Sequence, residues 1–275
     1  MNNPNKQVVF ITGASSGIGA ALAEEYAQHG SSLVLAARRM DKLSAIAEKC
    51  RALGSEVLVV ACDVTQQEDL QKALDQSLER FGRIDTVIAN AGFGVAGPFS
   101  SLELEDYHRQ FKTNIDGVIL SAKVFSKELI QNKGRLAIVG SVNSYIALPE
   151  GSPYAMSKFA VRAFAESLFY EWKPFGVSVT LICPGFIESE IRLVNNKGVF
   201  RDHAKDPIPK WIQMSAHKAA RQIYKAIQAR KPQAIITFHA KVLIFILRHF
   251  PRTFRSLISK FGVKGRSEPQ LKKPC

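Results

Sequence analysis

Short apolar runs rich in β-branched residues recur along the chain, at residues 8–11, 33–36, 57–61, 86–89, 135–139, 177–182 and 234–237. They read as strands. The stretches between them predict helices over about residues 18–28, 40–53, 67–81, 105–129, 154–172 and 217–228. Strict alternation of strand and helix implies a doubly wound α/β fold, a parallel sheet of about seven strands with helices on both faces. Such sheets bind ligands at the carboxyl ends of their strands. A length of 275 residues suffices for one domain of this kind with a full core, and no Pro/Gly/Ser-rich linker divides it.

The turn out of the first strand carries the densest chemistry. Thr12-Gly13-Ala14-Ser15-Ser16-Gly17-Ile18-Gly19 joins that strand to a helix. Glycines let the backbone approach a ligand, and the free N–H groups and dipole of a helix N-terminus favour an anion. The G-x-x-x-G-x-G spacing therefore makes a phosphate cradle, with Gly13, Ser15, Ser16, Gly17, Ile18 and Gly19 as its contacts. Other strand ends bring candidates to the same edge. Asp63, followed by Val64, ends the third strand, where a carboxylate would bond an adenine amino group. Asn90-Ala91-Gly92 follows the fourth strand and Pro184-Gly185 the sixth.

The second strand ends Leu35-Ala36-Ala37-Arg38-Arg39, with no carboxylate before Asp41. A carboxylate there would bond the ribose 2′-hydroxyl of NAD. Guanidinium groups match a 2′-phosphate instead. The expected cofactor is NADP(H), with Arg38 as the main contact and Arg39 as the second. A solvated Arg pair opening a helix is the alternative.

Tyr154-Ala155-Met156-Ser157-Lys158 sets a Tyr and a Lys on one helix face. Ser141 ends the fifth strand, thirteen residues earlier, at the edge that holds the glycine loop. With residues 12–19, Asp63, Asn90-Ala91-Gly92, Asn114, Ser141, Tyr154, Lys158 and Pro184-Gly185 in this order, the chain resembles a short-chain dehydrogenase/reductase. The match is to the single-domain, NADP-preferring kind and spans residues 8 to about 190. Two departures are small: Ala89 stands where the family often has a second Asn, and Ser189 where Thr usually follows Pro-Gly.

The resemblance implies a Rossmann-like fold and hydride transfer between a nicotinamide and a carbonyl or alcohol. It implies Tyr154 as the proton donor or base. A free Tyr has a pKa of about 10, so its phenolate needs a stabilising neighbour. Lys158 is that neighbour and also bonds the nicotinamide ribose. Ser141 hydrogen-bonds the substrate oxygen, and Asn114 holds a water that links Lys158 to solvent. Ile187 and Ser189 contact the carboxamide. Many relatives are dimers or tetramers, so a homodimer or homotetramer is expected. Taken singly, Ser141 would also serve as a turn cap, and Asn114 as a buried Asn bonded to backbone. A non-catalytic NADP-binding or membrane-associated scaffold of the same fold is the alternative function.

Near the expected carbonyl, Phe93, Val95, Ile146, Leu148 and Phe186 read as substrate lining, which points to a hydrophobic or lipid-like ketone or aldehyde. A charged flap is expected over residues 188–214. Four cysteines (Cys50, Cys62, Cys183 and Cys275) without C-x-x-C spacing fit a reduced compartment, and six histidines show no metal-ligand spacing. No metal is expected. The polar residues 1–7 run straight into the first strand without a secretory signal, and the apolar run 242–247 is too short to span a bilayer. The expected location is cytoplasmic or peripheral at the inner face of a membrane.

Charge divides the chain unevenly. Residues 1–191 hold 18 Lys/Arg and 21 Asp/Glu, whereas residues 192–275 hold 19 and 3, within a total of +13. Without a nucleic-acid motif, this basic third does not indicate nucleic acid. We expect residues 1–240 to form the cofactor-binding and catalytic domain and residues 241–275 a basic amphipathic extension. Pro251 separates two helices there. In the second, Phe250, Phe254, Leu257, Ile258 and Phe261 share a face opposite Arg248, Arg252 and Arg255. That extension has three readings: an anionic membrane surface met through residues 241–261, a lid on the pocket, or a subunit contact.

Overall fold

A computed structural model describes residues 6–199, 206 and 208–261. Seven strands, β1 (Val8–Thr12), β2 (Ser32–Ala37), β3 (Val57–Ala61), β4 (Thr86–Ala89), β5 (Arg135–Val139), β6 (Ser178–Cys183) and β7 (Gln233–Ile235), form one sheet. The order is β3-β2-β1-β4-β5-β6-β7, and every neighbouring pair is parallel. All seven expected strands are present, with ends shifted by no more than two residues.

The helices are α1 (Gly17–Gln28), α2 (Met40–Ala52), α3 (Gln67–Phe81), α4 (Leu104–Phe111), α5 (Gly117–Gln131), α6 (Ser152–Trp172), α7 (Ala216–Gln228), α8 (Phe238–His249) and α9 (Pro251–Phe261). They cover both faces. β1 shows why both are apolar. Successive side chains of a strand point to opposite faces. Val8 and Phe10 join one core cluster, with Phe125 and Leu129 of α5 and Val161 of α6. Val9 and Ile11 join the other, with Leu22 and Tyr26 of α1, Leu43 of α2 and Ile223 of α7. The Phe10 and Phe125 rings meet at 4.3 Å between centroids. Burying a side chain of this size stabilises by about 1.5–3 kcal/mol.

From β1 the chain first builds outward through β2 and β3, then returns to β4 on the other side. Ile11 pairs with both Leu35 and Ile88. The crevice at the carboxyl ends of β1 and β4 is the topological switch point, where doubly wound sheets take their ligands.

Two expectations of local structure need correction. The single helix over residues 105–129 is two helices, α4 and α5, joined by a π-turn at Lys112–Asp116. The wider turn carries Asn114, which is fully buried. In the basic extension, Phe250 and Leu257 do not share the buried face of Phe254. They are 56% and 46% exposed, whereas Phe254 is 7% exposed and Ile258 packs beside it. Phe250 lies between the two helices with non-helical backbone, so it does not follow the face of α9. Arg248 is not on the opposite face either, because its guanidinium lies 5.4 Å from the centre of the Tyr145 ring. Pro251 opens α9, as expected. Ala240, Ile244 and Phe254 belong to the same core cluster as Phe10. No helix among the described residues is long and apolar enough to cross a membrane.

Candidate active site

The strand ends of β1 to β6 open into one cleft of about 1130 Å³. Ordinary small-molecule pockets hold about 300–1,000 Å³, so this one suits a dinucleotide with a second molecule.

One end is the glycine loop between β1 and α1. Gly13 and Gly17 have φ of +65° and +56°, a region that L side chains avoid. A Cβ on Gly19 would lie 2.4 Å from the Gly13 carbonyl oxygen, so α1 packs directly under the loop. Thr12 and Asn90 lace this loop to β4. The Thr12 hydroxyl accepts from the N–H groups of Asn90 and Ala91, each at 3.0 Å, and the Asn90 amide donates to the carbonyls of Thr12 (2.9 Å) and Gly13 (3.2 Å). Ser16, at the N-cap of α1, gives the helix no side-chain cap. The first-turn N–H groups of such a helix suit an anion.

Cations border this end. Arg39 donates to the hydroxyls of Ser16 (2.7 Å) and Ser15 (3.2 Å) and to the Glu190 carboxylate (2.8 Å). Lys42 donates to the same carboxylate at 2.8 Å. Partial burial pushes the Glu190 carboxyl up, but the bonds from Lys42 and Arg39 outweigh it and hold it below the usual carboxylate range. Arg38 is more open, with 67% of its side chain exposed and the Asp63 carboxylate 3.9 Å away.

The other end is built from β5, α6 and the π-turn. Lys158 is 5% exposed, and its ammonium donates to the Val139 carbonyl at 2.9 Å. Burial lowers its pKa to about 8. Its nitrogen stands 5.6 Å from the centre of the Tyr154 ring, one helical turn away. Burial raises the Tyr154 pKa, and a hydrogen bond with Ser141 and the charge of Arg192 oppose that rise. The Ser141 hydroxyl also accepts from Asn143 N at 3.1 Å, capping the turn Val142–Ser144.

Two buried amides hold the loop after β4. Asn114 accepts from Phe93 N (3.2 Å) and donates to Phe93 O (3.1 Å) and to the Ser157 hydroxyl (3.2 Å). Gln110, one turn earlier, accepts from Val95 N (2.6 Å) and donates to Phe93 O (2.8 Å). Ser157 in turn donates to the Tyr154 carbonyl at 2.7 Å. A continuous chain of bonds thus runs from the loop at Phe93 to the helix that carries Tyr154 and Lys158. Arg192, on the flap, donates to Asp206 through two bonds (2.7 and 2.6 Å) and to the Ile187 carbonyl at 3.0 Å.

A sequence profile described as short chain dehydrogenase matches residues 7–199. The chain belongs to the short-chain dehydrogenase family. The chain is 42% identical over 187 residues to 11-beta-hydroxysteroid dehydrogenase A of Sesamum indicum, a match covering 67% of this chain and 53% of the relative. It is 36% identical over 188 residues to an uncharacterised oxidoreductase of Listeria innocua, covering 67% of this chain and 76% of the relative. The matches span about half to three fifths of the length of the first hydroxysteroid dehydrogenase relatives. Among solved structures, an alcohol dehydrogenase from Thermococcus sibiricus complexed with 5-hydroxy-NADP superposes with a TM-score of 0.74 at 28% identity, over 84% of this chain and 96% of that one. A short-chain dehydrogenase/reductase from Burkholderia phymatum in complex with NAD gives a TM-score of 0.81 at 24% identity, over 98% and 100%, a likeness of fold.

Every residue expected from the sequence to contact the cofactor lines the cleft except Gly19, which lies beneath the loop. Ser141, Tyr154 and Lys158 line it, and Asn114 stands behind its wall. Of the substrate-lining residues, Phe93, Val95 and Phe186 line it. Ile146 and Leu148 do not. The turn at Val142–Ser144 carries the chain away from the cleft, so Ile146 packs in the core and Leu148 lies 39% exposed on the surface. Val142, Asn143, Glu150, Val194 and Asn195 stand at that end instead, a mixed lining rather than an apolar one.

Gln110, Lys42, Glu190 and Arg192 join the site with no motif to mark them in the sequence. Gln110 had one usable signal, its i,i+4 spacing to Asn114. Cys50, Cys62 and Cys183 are free and buried, with thiols pushed up to about 12 by burial. Cys275 and residues 200–205 and 207 of the expected flap lie outside the described residues.

Proposed function

We propose that this chain is an NADP-dependent oxidoreductase that interconverts a carbonyl and an alcohol. One observation carries the reading: the Tyr154 hydroxyl sits with Ser141, one helical turn from Lys158, in the cleft that begins at the glycine loop. The glycine cradle, the α1 N-terminus and the bordering cations fit a dinucleotide phosphate. The bound nicotinamide supplies the hydride. Tyr154 donates the proton to the carbonyl oxygen. Its raised pKa keeps the hydroxyl protonated at neutral pH, the form a reduction needs. Ser141 donates to the same oxygen as charge develops. Lys158 supplies a partly desolvated ammonium near the phenol and toward the nicotinamide ribose. Asn114 and Gln110 fix the loop that faces them.

The substrate we propose is a ketone or aldehyde with a hydrophobic body against Phe93, Val95 and Phe186. The hydroxysteroid dehydrogenase names of several relatives agree with such a body. NADP preference rests on Arg38 and Arg39 at the end of β2. Tyr154→Phe lowers turnover by about 10²–10⁴-fold, the range for a general acid, with NADPH affinity retained. Unchanged turnover on a panel of cyclic and long-chain ketones, read by NADPH absorbance, refutes the reading. Arg38→Ala and Arg39→Ala each weaken NADPH about ten- to hundredfold and NADH far less, since a charge-assisted bond contributes about 1.5–3 kcal/mol. Equal effects on both cofactors refute the NADP assignment.

A second reading concerns location. Residues 207–267 contain thirteen Lys/Arg and no Asp/Glu. On α8 and at its end, Phe238, Val242, Phe245 and Phe250 are exposed, 80% in the case of Phe238. We propose that this face rests on an anionic membrane surface. Co-sedimentation with phosphatidylglycerol vesicles, reduced by the pair Lys241→Glu and Arg252→Glu, supports it. Equal pelleting with neutral phosphatidylcholine vesicles refutes it.

A further inference from the structure

The corner between β7 and α8 reaches the site through a residue that no motif marks. Thr237 caps α8, its hydroxyl accepting from Ala240 N at 3.4 Å. His239, in the first turn of α8, directs its ring at the loop after β6. His239 Nε2 lies 3.0 Å from Phe186 N and 3.0 Å from Thr237 Oγ1. The imidazole also stacks on the Phe186 ring, with centroids 5.3 Å apart and planes 24° apart.

A backbone N–H only donates, so the bond from Phe186 requires a lone pair on Nε2. The imidazole is therefore neutral, with its proton on Nδ1. The Thr237 hydroxyl accepts from Ala240 and gives its own proton to the same lone pair. Burial lowers the His239 pKa, which favours this neutral form.

Gly185 shows how closely the corner approaches. A Cβ there would stand 2.2 Å from Thr237 Oγ1 and 2.4 Å from His239 Nε2. Two backbone anchors hold the same segment elsewhere. Val142 N, next to Ser141, donates to the Pro184 carbonyl at 2.7 Å, and Met214 N donates to the Phe186 carbonyl at 3.0 Å. His239 supplies a side-chain anchor between them. It fixes where Gly185, Phe186 and Ile187 stand relative to Ser141.

We propose that His239 is a positioning residue for the nicotinamide half of the cofactor, acting through the N–H of Phe186. This rests on the reading that the loop after β6 meets the nicotinamide. The consequence is specific to one half of the cleft. The adenine end, held by the glycine loop and the cations near Arg39, does not depend on this contact.

Two ligands separate the halves: NADPH, and 2′-phospho-ADP-ribose, which lacks the nicotinamide. Two substitutions separate the contacts. His239→Phe keeps a ring on Phe186 and removes the acceptor. His239→Gln brings an amide oxygen near the place of Nε2 and removes the ring. We expect His239→Phe to weaken NADPH about tenfold, roughly one hydrogen bond, and to leave 2′-phospho-ADP-ribose within about twofold. His239→Gln stays within about threefold of the parent for both. Equal weakening of both ligands by His239→Phe, no weakening of either, or a His239→Gln variant as impaired as His239→Phe overturns the proposal. If His239→Phe does not fold, His239→Leu carries the same comparison. Failure of the parent protein to bind either ligand overturns the cofactor reading itself, a result distinct from the others.

Discussion

The two ends of the cleft are built differently. At the glycine end, the cradle comes from neighbours in sequence: a strand, the turn at residues 13–16 and the helix that follows. Most of its long-range ties, from Thr12 to Asn90 and Ala91, join adjacent strand ends of one sheet, and Glu190 of the flap adds a pairing with Arg39 and Lys42. At the substrate end, walls come from far apart in the chain: the loop after β4, the turn after β5 and the flap after β6, the last backed by His239 of α8. A site half local and half assembled binds a common cofactor by a fixed rule and leaves the partner molecule to loops. The difference is open to test from both sides.

The largest expected effect is at Lys158, where the proposed catalytic role opposes stability. Its folded pKa is about 8, against 10.5 unfolded. Between those values the unfolded chain holds the extra proton, so stability rises with pH across that window; below about 8 the folded state bears the desolvation penalty in full. Lys158→Met lowers turnover by about hundredfold or more. It also raises the melting temperature of the cofactor-free protein at pH 7. The penalty removed is at most about 3 kcal/mol, less about 1 for the lost bond to Val139. The gap to the parent narrows between pH 8 and 10.5. Thermal melts across pH check it, and a gap that widens upward in pH contradicts it.

Next comes the buried glycine of the local end. Gly19→Ala forces a methyl against the Gly13 carbonyl, and overpacking of this kind destabilises by about 1–3 kcal/mol. Calorimetry shows a melting point lower by several degrees together with lost NADPH binding. A variant as stable as the parent means that α1 does not press on the loop.

A smaller effect crosses the cleft. Glu190 on the flap pairs with both Arg39 and Lys42 at the glycine end. Glu190→Gln removes the negative charge beside Arg39 and Lys42 and tightens NADPH about two- to fivefold, the modest size of a part-exposed pair. Fluorescence titration reads it, and weaker binding would show that Glu190 supports the site rather than competes with a phosphate.

The smallest is a silent one. Leu148→Ser stays within about 0.5 kcal/mol of the parent and leaves turnover unchanged, because Leu148 lies outside the cleft. A changed substrate KM would return it to the pocket wall.

What was legible in the sequence follows the same division. Strands covered by helices on both sides announce themselves as apolar runs, and even the partly buried edge strands β3 and β7 keep that pattern, so all seven were readable. The glycine loop, the carboxyl-end residues and the Tyr-Lys pair were readable because strand order puts them on one edge. The π-turn was not, since a one-residue widening leaves the apolar pattern of residues 105–129 intact. Ile146 and Leu148 look like lining by their nearness to Ser141, and a single tight turn sends them elsewhere. Arg192 and His239 gain meaning only from partners that folding brings in from Asp206 and Phe186, 14 and 53 residues distant.

The burial of Ile244 and Phe254 within the main cluster also bears on how this chain can be cut. Side chains of that kind contribute about 1.5–3 kcal/mol each, together a large share of the roughly 5–15 kcal/mol that holds a typical domain folded. A chain ended at Thr237 would shed both, and with them His239. Shortened versions made to remove the basic segment would aggregate before they could report on lipids or cofactor. The segment has to be studied in place, by reversing its surface charges within the full chain.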